Sequence, residues 1–400
     1  MNDRVSSSSL ARLTQQDMNA RRLALSEIRE QIGTGKRINR PSDDPARAAR
    51  LIDIGANLSR LEQFDRNADS AELSLQMQET VLDSVIDAVQ RIRELIVQAS
   101  NASNGPVERQ IIGVEIDSRL DGLFDLANTP GSDGHALFAG SRLVDKPFTP
   151  GSPTGYSGDD TARRVNIGLD REVATTTPGS ELFMRLRDGN GRFRVEALPT
   201  NTGTGTLDTG SVTDESAFDG TRARITFSAP DRYDITDADS GALLAADVAY
   251  EPGAAVTVAG MTSQIDGEPR TGDAFVLEPA RQSDVFTTIE ALVSTLNASS
   301  DTPADNALRR QEMGTKLEEL DTILEHVALH RSATGSRMQS IDASRNETDA
   351  VTLQLRTTAA SIEDADMADV ITRLQEENTA LELLQRSYAR FASTSILDYL

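Results

Sequence analysis

Residues 51–99 read LIDIGANLSRLEQFDRNADSAELSLQMQETVLDSVIDAVQRIRELIVQA, and their apolar spacing decides the fold. Leu51, Ile54, Leu58, Leu61, Phe64, Ala68, Ala71, Leu75, Gln78, Leu82, Val85, Val89, Ile92, Ile96 and Ala99 follow one another in steps of three and four. One extra step of three falls between Leu61 and Phe64, and Gln78 is the polar member of the row. That pattern is a coiled-coil seam with one stammer and one polar register position. It is too sustained for a lone amphipathic surface helix. Upstream, Asp43 and Asp44 can cap, and Pro45 suits a first helical turn. Downstream, Asn104-Gly105-Pro106 is the first strong break, although Gly55 lies inside. A helix over 45–103 would be roughly 90 Å long.

Working outward, residues 7–32 form a first helix with Leu25, Ile28 and Ile32 at helical spacing, stopped by Gly33 and Gly35. After the long helix a shorter one is expected over 107–127. It carries Val107, Ile111 and Val114 on one face, and it folds back beside the long helix. Residues 140–285 then hold most of the prolines and many glycines among short β-type runs. Leu182–Arg187 and Arg192–Ala197 flank Asp188-Gly189-Asn190-Gly191, a hairpin signal. A second hairpin is expected from 224–227 to 233–236 around Ala229-Pro230-Asp231, with further strands at 256–258 and 274–277. Helix returns after Asp284. Its seam includes Met313, Leu317, Leu320, Leu324, Val327, Met338 and Ile341, and a last stretch carries Met367, Val370, Leu374, Leu381, Leu384, Tyr388 and Phe391. The closing Ser395-Ile396-Leu397-Asp398-Tyr399-Leu400 is apolar to its end, which suggests burial against a partner or another copy.

The fold class is therefore α+β and multidomain, a long coaxial coiled-coil rod built from both chain ends with an inserted mainly-β domain. The expected divisions are a terminal arm and turn over 1–44, rod over 45–139, an outer β domain over 140–285, rod again over 286–358, and a second terminal arm over 359–400.

Composition excludes several functions. The net charge is −23, so a phosphate backbone is repelled and nucleic acid is not an expected partner. The ends differ in sign. Residues 1–50 carry ten Lys/Arg and six Asp/Glu, a net of +4, and residues 351–400 carry four and eight, a net of −4. The chain has no cysteine, which removes disulfides and thiolate metal sites. No stretch has the ~20 apolar residues of a membrane span, and the N-terminus has no apolar core of signal-peptide length. No membrane association and no cleaved signal are expected.

Convergent reactive groups are not evident either, and no catalytic residue, metal or cofactor is expected. His135 sits in a polar loop. His326 and His330 share a helical face, but no third ligand or zinc-protease glutamate accompanies them. Asp234, Asp237 and Asp239 before Gly241 have the wrong spacing for a calcium loop.

Gly35-Lys36-Arg37-Ile38-Asn39-Arg40-Pro41-Ser42-Asp43-Asp44-Pro45-Ala46 resembles the N-terminal segment of flagellins and hook-associated proteins. Ser361-Ile362-Glu363-Asp364-Ala365-Asp366-Met367-Ala368 is similar to that family's C-terminal signature. Phe138-Ala139-Gly140-Ser141 and Gly272-Asp273-Ala274-Phe275 fit the same family near the junctions with the β domain. The closing residues and the Pro41/Pro45 pair look most like the hook-associated protein 3 branch. The resemblance covers roughly 1–150 and 265–400, and the centre has none.

It implies a structural subunit, not an enzyme, at the junction between hook and filament. The implied partners are a homo-oligomeric ring of copies, hook-associated protein 1, flagellin, and an export chaperone holding the C-terminus. The implied location is the extracellular flagellum, reached through a flagellar type III apparatus. Leu25, Ile28, Ile32, Leu374, Leu381, Leu384, Tyr388, Phe391, Leu397 and Leu400 would form the assembly seam. Gly35, Arg37, Ile38, Asn39, Asp43 and Asp44 would shape the turn between helices. A filament flagellin is the alternative. A β-domain adhesin or enzyme on a stalk would need a ligand site within 150–280.

Overall fold

The computed structural model describes residues 2–101, 104–132, 134–151, 153–299 and 302–397, with side chains described at Ser9 and from 12 to 390. Three helices open the chain: α1 (Asn2–Thr34), α2 (Pro45–Ala99) and α3 (Pro106–Ala127). Strands follow: β1 (Phe148–Thr149), β2 (Gly155–Tyr156), β3 (Arg164–Asn166) and β4 (Glu172–Ala174). A π-helical turn (Ser180–Met184) precedes β5 (Leu186–Arg187), β6 (Phe193–Ala197), β7 (Thr206–Leu207) and β8 (Ser211–Val212). Next come β9 (Ala223–Ala229), β10 (Arg232–Asp237), β11 (Leu243–Ala249), β12 (Ala255–Val258), β13 (Met261–Asp266), β14 (Ala274–Pro279) and β15 (Gln282–Ser283). Helices α4 (Val285–Asn297), α5 (Pro303–Glu363) and α6 (Met367–Leu397) close it. In chain order, long helices thus precede and follow a β-rich middle. The chain forms two compact units, residues 1–66 with 345–400, and residues 67–344.

In the unit of residues 67–344 the α2 seam is buried as its spacing requires. Ala68, Ala71, Leu75, Leu82, Val85, Val89, Ile92, Ile96 and Ala99 are all inside. From Leu82 onward they share one core with α3, α4 and α5, including Ile116, Leu123, Phe286, Ile289, Met313, Leu320 and Val327. Burying each such side chain contributes about 1.5–3 kcal/mol before entropy is counted. Gln78 is fully buried, but its partner is not another helix. Its side-chain amide donates to the carbonyl of Thr175, beside β4.

In helix α3, Val107, Ile111 and Val114 share a face as expected, and that face points outward, each residue being 64–67% exposed. The buried face is Ile112, Ile116, Leu120, Leu123 and Phe124. This competing stripe is longer and carries larger side chains, with Phe124 stacked on Phe286 at 4.2 Å between ring centres, so it takes the core.

The insert also pairs differently. The turn at Asp188–Gly191 forms, with left-handed Gly189 and Gly191. However, the segment before it is not the partner of β6. Leu182 and Phe183 lie in the π-helical turn, fully buried in the helical core, and β5 pairs with β15. β6 pairs with β14 instead. Burial of two large side chains outweighs the local hairpin signal. The second expected hairpin is present, β9 to β10 across Pro230-Asp231.

A five-stranded sheet of order β11-β10-β9-β14-β6 faces β12-β13-β7, with β8 also on β13. Alternating residues of β6, β9 and β13 point into a separate core of Phe193, Ile225, Phe227, Met261, Ile265, Phe275 and Leu277. Val173 of β4 and Ile167, just after β3, instead pack against Ala71, Leu75 and Ile341 of the helices.

Candidate assembly site at the paired chain ends

The unit of residues 1–66 and 345–400 holds every sequence-expected site residue that the structure describes. Its first feature is the turn between α1 and α2. Gly35 adopts the left-handed conformation at φ +72° and returns its amide to Gln31 O at 2.9 Å. Gly33 lies inside α1, so the helix runs past it and stops at Gly35 alone. A left-handed residue after the last turn ends a helix without a Cβ penalty only if it is glycine. One carboxylate oxygen of Asp43 accepts from the amides of Asn39 and Arg40 at 3.0 and 2.8 Å. Asp44 accepts from the Arg47 amide at 3.0 Å, the geometry of an N-cap on α2. Ile38 is buried.

The same turn is held by the far end of the chain. Arg37 N donates to Glu363 O at 2.7 Å, and the Arg37 guanidinium donates to Ile362 O at 2.6 Å. Ala365 N donates to Gly35 O at 2.9 Å, and Lys36 and Asp364 form an isolated antiparallel bridge. Lys36 Nζ pairs with Glu363 Oε1 at 2.5 Å. Beyond this clasp α1 and α6 run together, joined at Arg21–Glu377, 2.8 Å. Sequence reasoning did not foresee the clasp. Its signal was available: Lys36-Arg37 in one motif and Glu363-Asp364 in the other carry opposite charges.

The apolar seam is unevenly covered. Leu25, Ile28 and Val370 are buried, while Ile32, Leu374, Leu381 and Leu384 are half-buried and Tyr388 is 39% exposed. The side chains of Phe391 and Leu397, and the whole of Leu400, lie outside the described residues. Leu13 and Leu23 of α1 and Ile371 and Leu383 of α6 are exposed, from 46 to 67%. A helix pair with this much uncovered apolar surface fits an interaction surface better than a finished core. Among the described residues no group of three potential metal ligands converges, and no helix is long and apolar enough to cross a membrane.

Residues 5–142 match the bacterial flagellin N-terminal helical region. The crystal structure of Xanthomonas campestris FlgL is 31% identical, with a TM-score of 0.72, and the match covers 77% of this chain and 99% of that one. The chain belongs to the FlgL family. FlgL proteins are also called flagellar hook-associated protein 3. The one from Escherichia coli is 29% identical over 38% of this chain and 48% of its own length. A flagellin of Salmonella paratyphi A is 28% identical over 76% of this chain and 61% of its own length. The chain thus spans about half to three-fifths of these curated relatives. FlgL and flagellin are structural flagellar proteins, and this chain is a structural protein of the flagellin superfamily, not an enzyme.

Proposed function

We propose that the chain is the subunit that joins the flagellar hook to the flagellin filament. It would do so as a ring of identical copies seated on hook-associated protein 1, with flagellin above. The observation that carries this reading is the clasp of Gly35–Ile38 with Ile362–Ala365, two family motifs brought together with an incompletely covered α1/α6 seam beyond them. Leu25, Ile28, Ile32, Leu374, Leu381, Leu384, Tyr388, Phe391, Leu397 and Leu400 would be the seam that neighbouring copies complete. Gly35, Arg37, Ile38, Asn39, Asp43 and Asp44 would hold the turn that aims it. The working divisions are terminal arms over 1–44 and 359–400, helical parts over 45–139 and 286–358, and an outer part over 140–285. Before assembly an export chaperone would cover the C-terminal arm, and the chain would leave the cell unfolded.

The test is a strain lacking this chain. Intact hooks carrying hook-associated protein 1, with flagellin lost to the medium, are expected, and complementation by a chain lacking residues 395–400 should fail. Full filaments on the deletion strain would refute the reading. A filament flagellin is the second reading, favoured by the longer match to the Salmonella flagellin. Copy number separates them, since a filament subunit dominates sheared flagella and a junction subunit is a trace.

A further inference from the structure

Two exposed features of the 67–344 unit are complementary and cannot reach each other within one copy. The first is the outward stripe of α3. Val107, Ile111 and Val114 stand at i, i+4 and i+7 and are each about two-thirds exposed. Helical geometry puts exposed Glu108 on one flank and exposed Asp117 and Asp121 on the other. The second is the loop 141–146, where Leu143 is 66% exposed between Arg142 and Lys146. This loop is no loose tip. Ser141 N is held by Asp159 Oδ1 at 2.8 Å, Arg142 donates to Ser157 O at 3.0 Å, and Val144 O accepts from Ala136 N at 3.0 Å. Leu143 is therefore presented by a fixed backbone, so seating it costs little ordering entropy.

We propose that the 141–146 loop of one copy docks Leu143 on the α3 stripe of the next copy, with Arg142 and Lys146 facing its acidic flanks. Position forces the contact to be intermolecular. The stripe occupies the start of α3, whereas the loop is tied to the end of α3 through Ala136 and the Leu137–Thr129 bond. About seventeen residues of helix, roughly 25 Å, separate them. A patch at one end of a rigid element and its complement at the other give a head-to-tail contact, the kind that builds rings or stacks rather than closed pairs. Charge favours a second copy only at such a place. Copies of net charge −23 repel each other, so an interface between them needs local opposite charges; the loop carries Arg142 and Lys146 against a single carboxylate, Asp145, which faces His135 at 3.3 Å, and the stripe is flanked by Glu108, Asp117 and Asp121.

This docking rests on the proposed self-assembly, and the experiment separates the two. The chain has no cysteine, so Ile111→Cys and Leu143→Cys can be placed together in the full chain as a cell's only copy. Flagella are isolated and treated with a short bismaleimide. The double variant should give a ladder of linked copies, and each single variant should stay monomeric. Val114→Cys with Lys146→Cys serves as a second pair. A ladder from either pair supports the contact, and a ladder from neither, or a dimer from Leu143→Cys alone, overturns it. Arg142→Glu with Lys146→Glu should cut ladder yield about tenfold, and adding Glu108→Arg and Asp117→Arg should restore it. Flagella that contain the chain but give no ladder sink the docking alone. Flagella from which the wild-type chain is missing sink the assembly reading and the docking with it.

Discussion

Lys36 Nζ lies 2.5 Å from Glu363 Oε1, and the pair joins two segments that are neighbours in space but belong to opposite ends of the chain. Both side chains keep substantial exposure, 49% and 28%. The pair is therefore a positioning contact whose net worth is small. Lys36→Glu or Glu363→Lys alone should loosen the clasp, and the two together should restore it. The coupling energy is expected at about 0.2–1 kcal/mol, read from hydrogen exchange of the amides of residues 35–38 in a double-mutant cycle. Strictly additive effects would show that the backbone bonds hold the clasp unaided.

The two glycines near the end of α1 should respond with opposite signs. Gly35→Ala forces a side chain into a left-handed backbone at φ +72° and should cost about 1 kcal/mol. Gly33 is helical, and the place a Cβ would take is open space, so Gly33→Ala should stabilise by about 0.5–1 kcal/mol. Thermal melts of the two variants make the comparison. Equal destabilisation would mean that α1 does not end at Gly35.

Asp44→Ala removes the acceptor for the Arg47 amide and should cost about 1 kcal/mol, while Asp44→Asn should keep most of the cap. Denaturant titration distinguishes them. An alanine variant as stable as wild type would discount the cap.

His330 supplies a pH dependence. Burial, and then the neighbouring His326, hold its pKa below the usual 6.5, and Arg337 acts in the same sense against the opposing pull of Glu181. The neighbouring ring of His326 donates from Nε2 to the Glu181 carbonyl oxygen, 2.8 Å away. The folded chain therefore binds this proton less readily than the unfolded chain. Stability is complete above about pH 6.5 and falls as pH drops from there toward the lower folded value. The denaturant midpoint should decline between pH 7 and 5 in the wild type and decline less in His330→Gln. A midpoint that rises on acidification would contradict this assignment.

What was legible in the sequence was what repeats. The α2 seam could be read because steps of three and four persist over many turns, and Leu75, Leu82, Val89 and Ile96 all lie inside. A short row such as Val107, Ile111 and Val114 has the same spacing but no length, and a second row on the same helix won the core. The hairpin signal at Asp188–Gly191 specified the turn and not the partner strand, because Leu182 and Phe183 answer to a helical core many residues away. The turn residues Asn39, Asp43 and Asp44 sit within four positions of the groups they bind, where local chemistry is readable. The contacts of Arg37 with Ile362 and Glu363 span most of the chain, and nothing local encodes them.

That span has a consequence in time. A bond between residues 325 positions apart closes a loop whose entropic cost grows as the logarithm of its length, about 5 kcal/mol here. Contacts of this order form late in folding, after the nearby helices and strands have shortened the effective loop. The termini are thus the slowest partners to find each other, and whatever meets a newly emerged molecule first can capture an end before its own mate arrives.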